Sequence, residues 1–122
     1  MTKKEASERY QIPIEILENY ERWNLREDAK RVMGEWQYDD SDLELLGTIT
    51  TLHDIGFEED EIEEYMRLYL RGNVTSSERE RILKKKRNQT LDEIHLQEKR
   101  LELLDYFRFK MQNGNGVSPT TL

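Results

Sequence analysis

The C-terminal third of this chain contains a long segment, residues 75–112, with neither glycine nor proline. These two residue types are the strongest helix breakers, so their absence predicts one continuous helix. At about 1.5 Å per residue, that helix is a rod roughly 50 Å long. A rod of this length extends beyond a small globular core, so we expect a compact head joined to one extended element.

A heptad-like seam runs along this predicted helix. Its positions, spaced by four and three residues, are Leu83, Arg87, Thr90, Ile94, Gln97, Leu101, Leu104, Arg108 and Met111. Neighbouring apolar side chains widen the stripe, although its polar middle is typical of a weak coiled coil. A single helix cannot bury this stripe, so it must pair with a second copy, fold back on the head, or do both. We predict an antiparallel homodimer with the dimerisation residues Leu83, Leu91, Ile94, Leu101, Leu104, Phe107 and Met111.

Two short helices are predicted at the N-terminus. Thr2, with Glu5 three residues later, is a capping box for the first helix. Pro13 suits the first turn of a second helix, in which Ile14 and Leu17 follow helical spacing. Two short helices joined by a tight connection form a helix-turn-helix.

A short β wing is predicted after the second helix. Residues 26–33 are polar and have no clear period, so they are predicted to form a loop. Gly34 turns the chain, and residues 35–38 alternate in the manner of a strand. Trp36 and Tyr38 are therefore expected on one face of that strand.

Two further helices complete the predicted head. The apolar stripe of the first comprises Leu43, Leu46, Ile49 and Leu52, after N-cap candidates in residues 39–42. The stripe of the second comprises Ile62, Tyr65, Met66, Tyr69 and Leu70. Gly56 is predicted to end the first of these helices, with Phe57 as the apolar contact beyond it. Thr75 and Glu78 are predicted to form a capping box for the long helix.

These elements define a mostly helical chain with three parts. The sequence predicts an all-α fold in which a small β wing accompanies the helices. The head is assigned to residues 1–72, the dimerisation helix to residues 73–112 and a disordered tail to residues 113–122.

Charge is unevenly distributed along the chain. The net charge is −7, of which residues 1–38 carry −1, residues 39–71 carry −9 and residues 72–122 carry +3. Nucleic-acid-binding proteins usually present a basic surface, because neutralising phosphates supplies much of their affinity. The middle third would repel DNA unless it faces away from the duplex.

The composition also excludes several classes of site and of location. There are no cysteines, which excludes disulfides and thiolate metal sites. The start of the chain lacks the apolar segment of a signal peptide, and the longest apolar run is only Leu68–Leu70, so we expect a cytoplasmic protein without a membrane span.

No arrangement of residues typical of an enzyme is present. His53 and His95 are the only histidines, and neither belongs to a pair with metal-ligand spacing. There is no Ser-His-Asp set and no glycine-rich phosphate loop. We therefore predict no enzymatic activity, no cofactor and no metal.

The order of short sequence motifs resembles the MerR family of bacterial regulators. The motifs are Ala6, Ile12-Pro13, Ile16-Leu17-Glu18-Asn19-Tyr20-Glu21, Asn24-Leu25, Gly34-Glu35-Trp36-Gln37-Tyr38, Asp42-Leu43, Ile55-Gly56-Phe57 and Glu61-Ile62. The match is detailed over about residues 1–70 and positional over the long helix. Each motif alone is weak, but their shared order and spacing are specific.

The resemblance implies a winged helix-turn-helix followed by an antiparallel dimerisation helix. In that family the second helix enters the major groove and the wing touches the flanking DNA backbone. Family sensors bind metals or drugs beyond the dimerisation helix, where this chain ends, so no effector-binding domain is expected. The resemblance thus implies a dimeric, cytoplasmic, DNA-binding transcriptional regulator.

Several positions depart from the family pattern. Glu18 replaces the arginine that faces the groove, Trp36 replaces the arginine of the wing, and Glu35 replaces the wing tyrosine. A carboxylate is repelled by phosphate, although glutamate can accept a hydrogen bond from cytosine N4. These departures leave open a second function, a protein-binding adaptor or antirepressor similar to the short MerR-like chaperone modulators. A weaker third option is an excisionase-like architectural factor.

The DNA-binding residues expected from this resemblance are Lys3, Lys4, Asn19, Tyr20, Arg22, Lys30, Arg31 and Gln37. The cations are expected to contact phosphates, and the remaining side chains are expected near base edges or sugars. The alternative is that the cations are ordinary solvated charges and that Tyr20 and Trp36 belong to the core. The acidic residues 58–64 and the basic residues 84–87 are each compatible with a binding role or with solvated helix surface.

Overall fold

The computed structural model describes residues 1–114. In chain order its elements are α1 Lys3–Tyr10, α2 Ile14–Trp23, β1 Lys30–Val32, β2 Glu35–Gln37, α3 Asp40–Ile55, α4 Glu59–Leu70, a 3-10 turn Gly72–Thr75 and α5 Ser76–Asn113. The prediction of a mostly helical chain with a small β wing and a long C-terminal helix is confirmed. The chain divides into two compact units, Met1–Ile82 and Leu83–Leu122.

The predicted helix ends in the head are confirmed where local capping chemistry defines them. The hydroxyl of Thr2 accepts from the Glu5 backbone N–H, and the Glu5 carboxylate accepts from the Thr2 N–H, each at 3.2 Å. Asp39 and Asp42 form the same reciprocal pair at the start of α3. At its other end, α3 is closed by Gly56 at φ 107°, a conformation that a residue with a Cβ adopts at a cost.

The start of the long helix differs from the prediction. The Thr75 hydroxyl does not cap α5; it is buried, lying 2.6 Å from the Leu68 carbonyl oxygen and 3.0 Å from that of Gly72. It also accepts from Nε of Arg79 at 3.1 Å. The head therefore includes the first turns of α5 and extends to Ile82 rather than to residue 72. At the other end, Asn113 belongs to α5, and the rest of the predicted tail beyond residue 114 lies outside the described residues.

The segment predicted as a loop contains the first strand of the wing. β1 pairs antiparallel with β2, with Arg31 opposite Trp36. All three β1 residues are exposed, so the strand has no apolar alternation by which sequence reasoning could have found it. Met33, at φ 54°, and Gly34, at φ 82°, make the turn between the strands. A left-handed backbone costs a residue with a Cβ roughly 1–2 kcal/mol.

The core of the head joins α2, α3 and α4 to the wing. Its fully buried large side chains include Leu17, Tyr20, Leu46, Ile49 and Met66. The rings of Trp36 and Tyr38 lie 6.1 Å apart, centroid to centroid, which confirms that these two side chains share one face. Tyr20 lies 5.5 Å from Trp36, so the wing packs directly on α2.

The second unit, as far as residue 114, is the remainder of α5. None of its large apolar side chains is buried within the single chain. The predicted dimerisation residues are exposed to the extent of 37% at Leu83, 39% at Leu91, 47% at Ile94, 58% at Leu101, 60% at Leu104, 45% at Phe107 and 84% at Met111. No helix within residues 1–114 combines the length and the apolar character needed to cross a membrane.

Candidate nucleic-acid interface

A buried polar network around Asp42 fixes the orientation of α2 relative to the wing. The Asp42 side chain, fully buried, accepts hydrogen bonds from the Tyr20 hydroxyl at 2.5 Å and from Nη1 of Arg26 at 2.8 Å. It also accepts from Nε1 of Trp36 at 3.3 Å and from the Asp39 backbone N–H at 3.0 Å. One carboxylate thus joins α2, the following loop, β2 and the start of α3.

The ionisation of the groups around Asp42 follows from these contacts. Burial, together with the bond to Asp42, raises the pKa of the Tyr20 phenol. The hydrogen bond from Arg26 is the main reason that the pKa of Asp39 falls from its ordinary 3.8 to about 2. At neutral pH the network therefore contains a neutral phenol, an ionised Asp39 and a charged guanidinium.

The prediction that Tyr20 contacts DNA is wrong. Its side chain is completely buried, and its hydroxyl donates a hydrogen bond to Asp42. A phenol that is already bonded inside the core has no exposed atom with which to reach a base edge. Of the two roles left open by the sequence, the structure supports the core role for Tyr20 and for the equally buried Trp36.

The exposed edge of α2 carries more negative than positive charge. Glu15, Glu18 and Arg22 are exposed, at spacings that place them on the side opposite the buried residues of the helix. Nη2 of Arg22 donates to the Asn19 side-chain oxygen at 2.7 Å and lies 3.7 Å from the Glu59 carboxylate. The predicted pair Asn19 and Arg22 is therefore brought together, and it leans toward the start of α4.

A groove of about 510 Å³ lies beside α2, between the start of α1 and the turn of the wing. Its lining residues are Thr2, Lys3, Lys4, Ile14, Glu21, Gly34, Glu35 and Trp36. Two of the predicted DNA-binding cations, Lys3 and Lys4, are thus brought to the same groove as the wing turn. Lys3 is paired with Glu21 at 3.3 Å, whereas Lys4 is exposed.

The wing presents its two cations on opposite faces. Lys30 lies opposite Gln37 across the ladder, so these two predicted residues share one face. On the other face the guanidinium of Arg31 lies 5.0 Å from the centroid of the Trp36 ring. Arg31 thus stacks its guanidinium on the aromatic ring of Trp36 and still remains exposed to solvent.

A second groove, of about 170 Å³, lies on the other side of α2. Its lining residues are Glu15, Ile16, Asn19, Trp23, Ile49, His53, Phe57, Glu58, Glu59 and Ile62. Three carboxylates rim this groove, whereas the groove beside the wing is lined by two lysines and by two carboxylates, Glu21 and Glu35. A polyanion approaching α2 is therefore repelled less on the wing side than on the α4 side.

Sequence reasoning missed two features of this region. Arg26, assigned to a polar loop, is mostly buried because three carboxylates surround it. Met33, in the same loop, is 98% exposed at the wing tip. Gly34 was the available signal, because the second residue of a two-residue hairpin turn is often a glycine. Within residues 1–114, no three His, Asp or Glu side chains converge as metal ligands.

The chain is similar to a known family and to several solved structures. The family model described as "MerR HTH family regulatory protein" matches residues 1–69. Among curated proteins, none matches the chain.

Three solved structures share the fold. A putative MerR family transcriptional regulator from Listeria monocytogenes has a TM-score of 0.70 and 24% identity, with coverage of 93% of this chain and 86% of the other. HiNmlR, a MerR family regulator lacking the sensor domain and bound to promoter DNA, has a TM-score of 0.66 and 22% identity, with coverage of 95% and 93%. A MerR family transcriptional regulator from Bacillus thuringiensis has a TM-score of 0.62 and 20% identity, with coverage of 90% and 97%. Because the family model covers more than half of its length, this chain belongs to the MerR HTH family of regulatory proteins.

Proposed function

We propose that this protein is a dimeric transcriptional regulator that binds double-stranded DNA through α2 and the wing. The observation that carries the proposal is the groove beside α2, where Lys3 and Lys4 meet the turn of the wing. The DNA-bound relative without a sensor domain, similar in fold over nearly all of this chain, supports the same arrangement. A regulator of this kind works on the chromosome, so we propose a cytoplasmic location.

In this proposal α2 lies in the major groove and the wing lies along the adjacent backbone. Glu18 is proposed to reach a base edge, while Lys4, Lys30 and Arg31 meet phosphates. Asn19 lines the groove on the α4 side and is bonded to Arg22, so it is assigned no base contact in this orientation. The carboxylates of α4 lie beyond the opposite groove, on the side that this orientation turns away from the duplex. The −9 charge of residues 39–71 is then compatible with binding.

The apolar seam of α5 is proposed to join two copies. The seven predicted dimerisation residues, five on the seam and Leu91 and Phe107 beside it, are exposed by 37% to 84%. Apolar exposure that continues along one helix marks a surface for association with another chain. A second α5 in antiparallel orientation offers an identical seam and sets the distance between two DNA half-sites.

Salt dependence tests the DNA-binding proposal. We expect the native protein to bind DNA from upstream of its own gene at low ionic strength and to lose affinity as salt rises. The double variant Lys30→Gln/Arg31→Gln should lower the slope of log affinity against log salt by about two per protomer, because each phosphate contact contributes roughly one. Fluorescence anisotropy over a salt series measures both quantities.

The matched control for this experiment is Lys99→Gln/Arg100→Gln on α5, which changes the net charge equally. This control should keep the native slope because it removes no proposed phosphate contact. Absence of salt-dependent binding by the native protein at low ionic strength contradicts the proposal. Equal slopes for the two double variants contradict the assignment of the wing cations.

The dimer proposal predicts that charge in the seam produces monomers. Ile94→Lys with Leu101→Lys should shift the protein from dimer to monomer at micromolar concentration, because each buried lysine is desolvated without a partner. Sedimentation equilibrium measures the shift. Asn88→Lys with Gln89→Lys, which adds the same two charges at exposed positions off the seam, should remain dimeric. A native protein that is already monomeric refutes the assignment of the seam.

One observation favours a second function, that of a protein-binding adaptor or antirepressor. The carboxylates of Glu15 and Glu18 occupy the exposed edge of α2, where contact with DNA is proposed. A basic surface of another regulator or of a chaperone partner is complementary to that edge. Stable capture of a protein partner that depends on these two residues, with no DNA binding, would favour this function over the first.

A further inference from the structure

The tip of the wing carries an almost fully exposed apolar side chain. Met33 is 98% exposed and its neighbour Val32 is 57% exposed, so two adjacent apolar residues are exposed at the tip. The rest of the wing is anchored, since Trp36 is buried and Arg31 stacks on it. The tip is therefore a small apolar projection on a fixed base.

Backbone geometry makes methionine a poor choice at this position. Both turn residues have positive φ, 54° at Met33 and 82° at Gly34. Two-residue hairpins of this kind favour Asn-Gly, because asparagine tolerates a left-handed backbone and methionine does so with strain. No packing compensates for the strain, since almost the whole side chain is in solvent. Neither turn formation nor folding accounts for an apolar side chain here.

The surroundings of the tip suggest what it meets. Lys30 and Arg31 precede the turn on the same hairpin, and Gly34 lines the groove that also contains Lys4 and Ile14, the first residue of α2. The wing lies across the protein groove from α2. When α2 occupies the major groove of DNA, the wing therefore reaches the neighbouring minor groove of the duplex. Cations on both faces of the hairpin are placed to contact the phosphates that border it.

We propose that Met33 is an apolar wedge that enters the flanking minor groove and partly unstacks a base step. The proposal rests on the DNA-binding function and adds a way of recognising sequence, because the cost of unstacking depends on which step is opened. Methionine is among the side chains that serve this purpose in proteins that bend DNA. Val32 extends the apolar contact, and the strained backbone holds the methionine outward.

The experiment compares Met33→Asn and Met33→Leu with the native protein. The DNA probes are short duplexes selected by the native protein from a random pool, with 2-aminopurine placed at adenines of the flanking steps. Native protein and Met33→Leu should raise the fluorescence of the probe, as an unstacked base does. Met33→Asn should bind about tenfold more weakly, from the loss of one buried apolar side chain, and should leave the fluorescence unchanged.

Thermal unfolding separates this effect from damage to the fold. Because asparagine suits the turn, Met33→Asn should melt at the native temperature or above it. If Met33→Asn binds and unstacks the probe as well as the native protein does, the wedge is refuted while the DNA-binding function stands. If the native protein selects no duplex at all, the wedge and the DNA-binding function are both refuted.

Discussion

Replacing Asp42 with alanine is expected to destabilise the head by about 3–5 kcal/mol, the usual effect of removing one partner from a buried ion pair. Its carboxylate accepts from Tyr20, Arg26 and Trp36, and alanine leaves all three donors without that acceptor. The Arg26 side chain, only 14% exposed, would keep a charge that water scarcely reaches. The start of α3 would also lose the reciprocal cap with Asp39. For a domain of ordinary stability this is a large fraction of the free energy of unfolding.

The same guanidinium provides the control. Asp28 also pairs with Arg26, at 3.3 Å, but its side chain is 82% exposed. Asp28→Ala should therefore cost less than about 1 kcal/mol. Asp42→Asn, which keeps one acceptor in nearly the same shape, should fall between the two alanine variants. An Asp42→Ala protein as stable as Asp28→Ala would mean that the buried network contributes little to the fold.

Urea unfolding followed by tryptophan fluorescence measures these differences in the right part of the chain. The chain has two tryptophans, Trp23 and Trp36, and both are buried in the head. Their fluorescence therefore reports on the head without contribution from residues 83–113 of α5. A change in the midpoint at constant slope gives the change in stability directly.

Exchanging Glu18 for arginine is expected to change which base pair α2 prefers. Glu18 is exposed at the position that faces the groove in the proposed orientation, where a carboxylate accepts a hydrogen bond from cytosine N4. Arginine at the same position donates to O6 and N7 of guanine instead. The preference at one position of the half-site should change from cytosine to guanine, by about 10- to 100-fold in relative affinity, since a good base contact discriminates by roughly 1–3 kcal/mol.

Selection of duplexes from a random pool by the native protein and by Glu18→Arg measures this change. Glu8→Arg on α1 is the matched control, because it reverses an exposed charge outside the proposed interface. That variant should bind more tightly to all duplexes without a new preference. If the native protein binds no DNA and Glu18→Arg acquires binding, α2 of the native protein does not serve to bind DNA. The adaptor function is then favoured.

The two outcomes for Glu18 bear on how this family member uses its acidic surface. If Glu18→Arg still binds DNA but prefers a different base, the carboxylate of the native protein contacts a base directly. The carboxylates on the α4 side of α2 then keep the duplex from that groove, whereas beside the wing the two lysines offset the two carboxylates and the duplex can approach.

Features that depend on neighbouring residues were predictable from the amino-acid sequence. The caps at Thr2 and Asp39, the stop at Gly56 and the unbroken α5 all follow from interactions within a few residues along the chain. For the same reason the order of short motifs was enough to identify the family. Helix caps and helix ends of this kind can be predicted without knowledge of the fold.

Contacts between residues that are distant in the sequence could be seen only in the folded structure. Tyr20 was predicted at the DNA surface but lies in the core, because its hydroxyl meets Asp42, which is 22 residues away in the sequence. Arg26 is held by the same carboxylate, 16 residues away, and β1 exists only because β2 pairs with it. A polar side chain in the sequence does not reveal whether a partner will meet it. Which side chains remain exposed for DNA was therefore settled only when distant elements packed together.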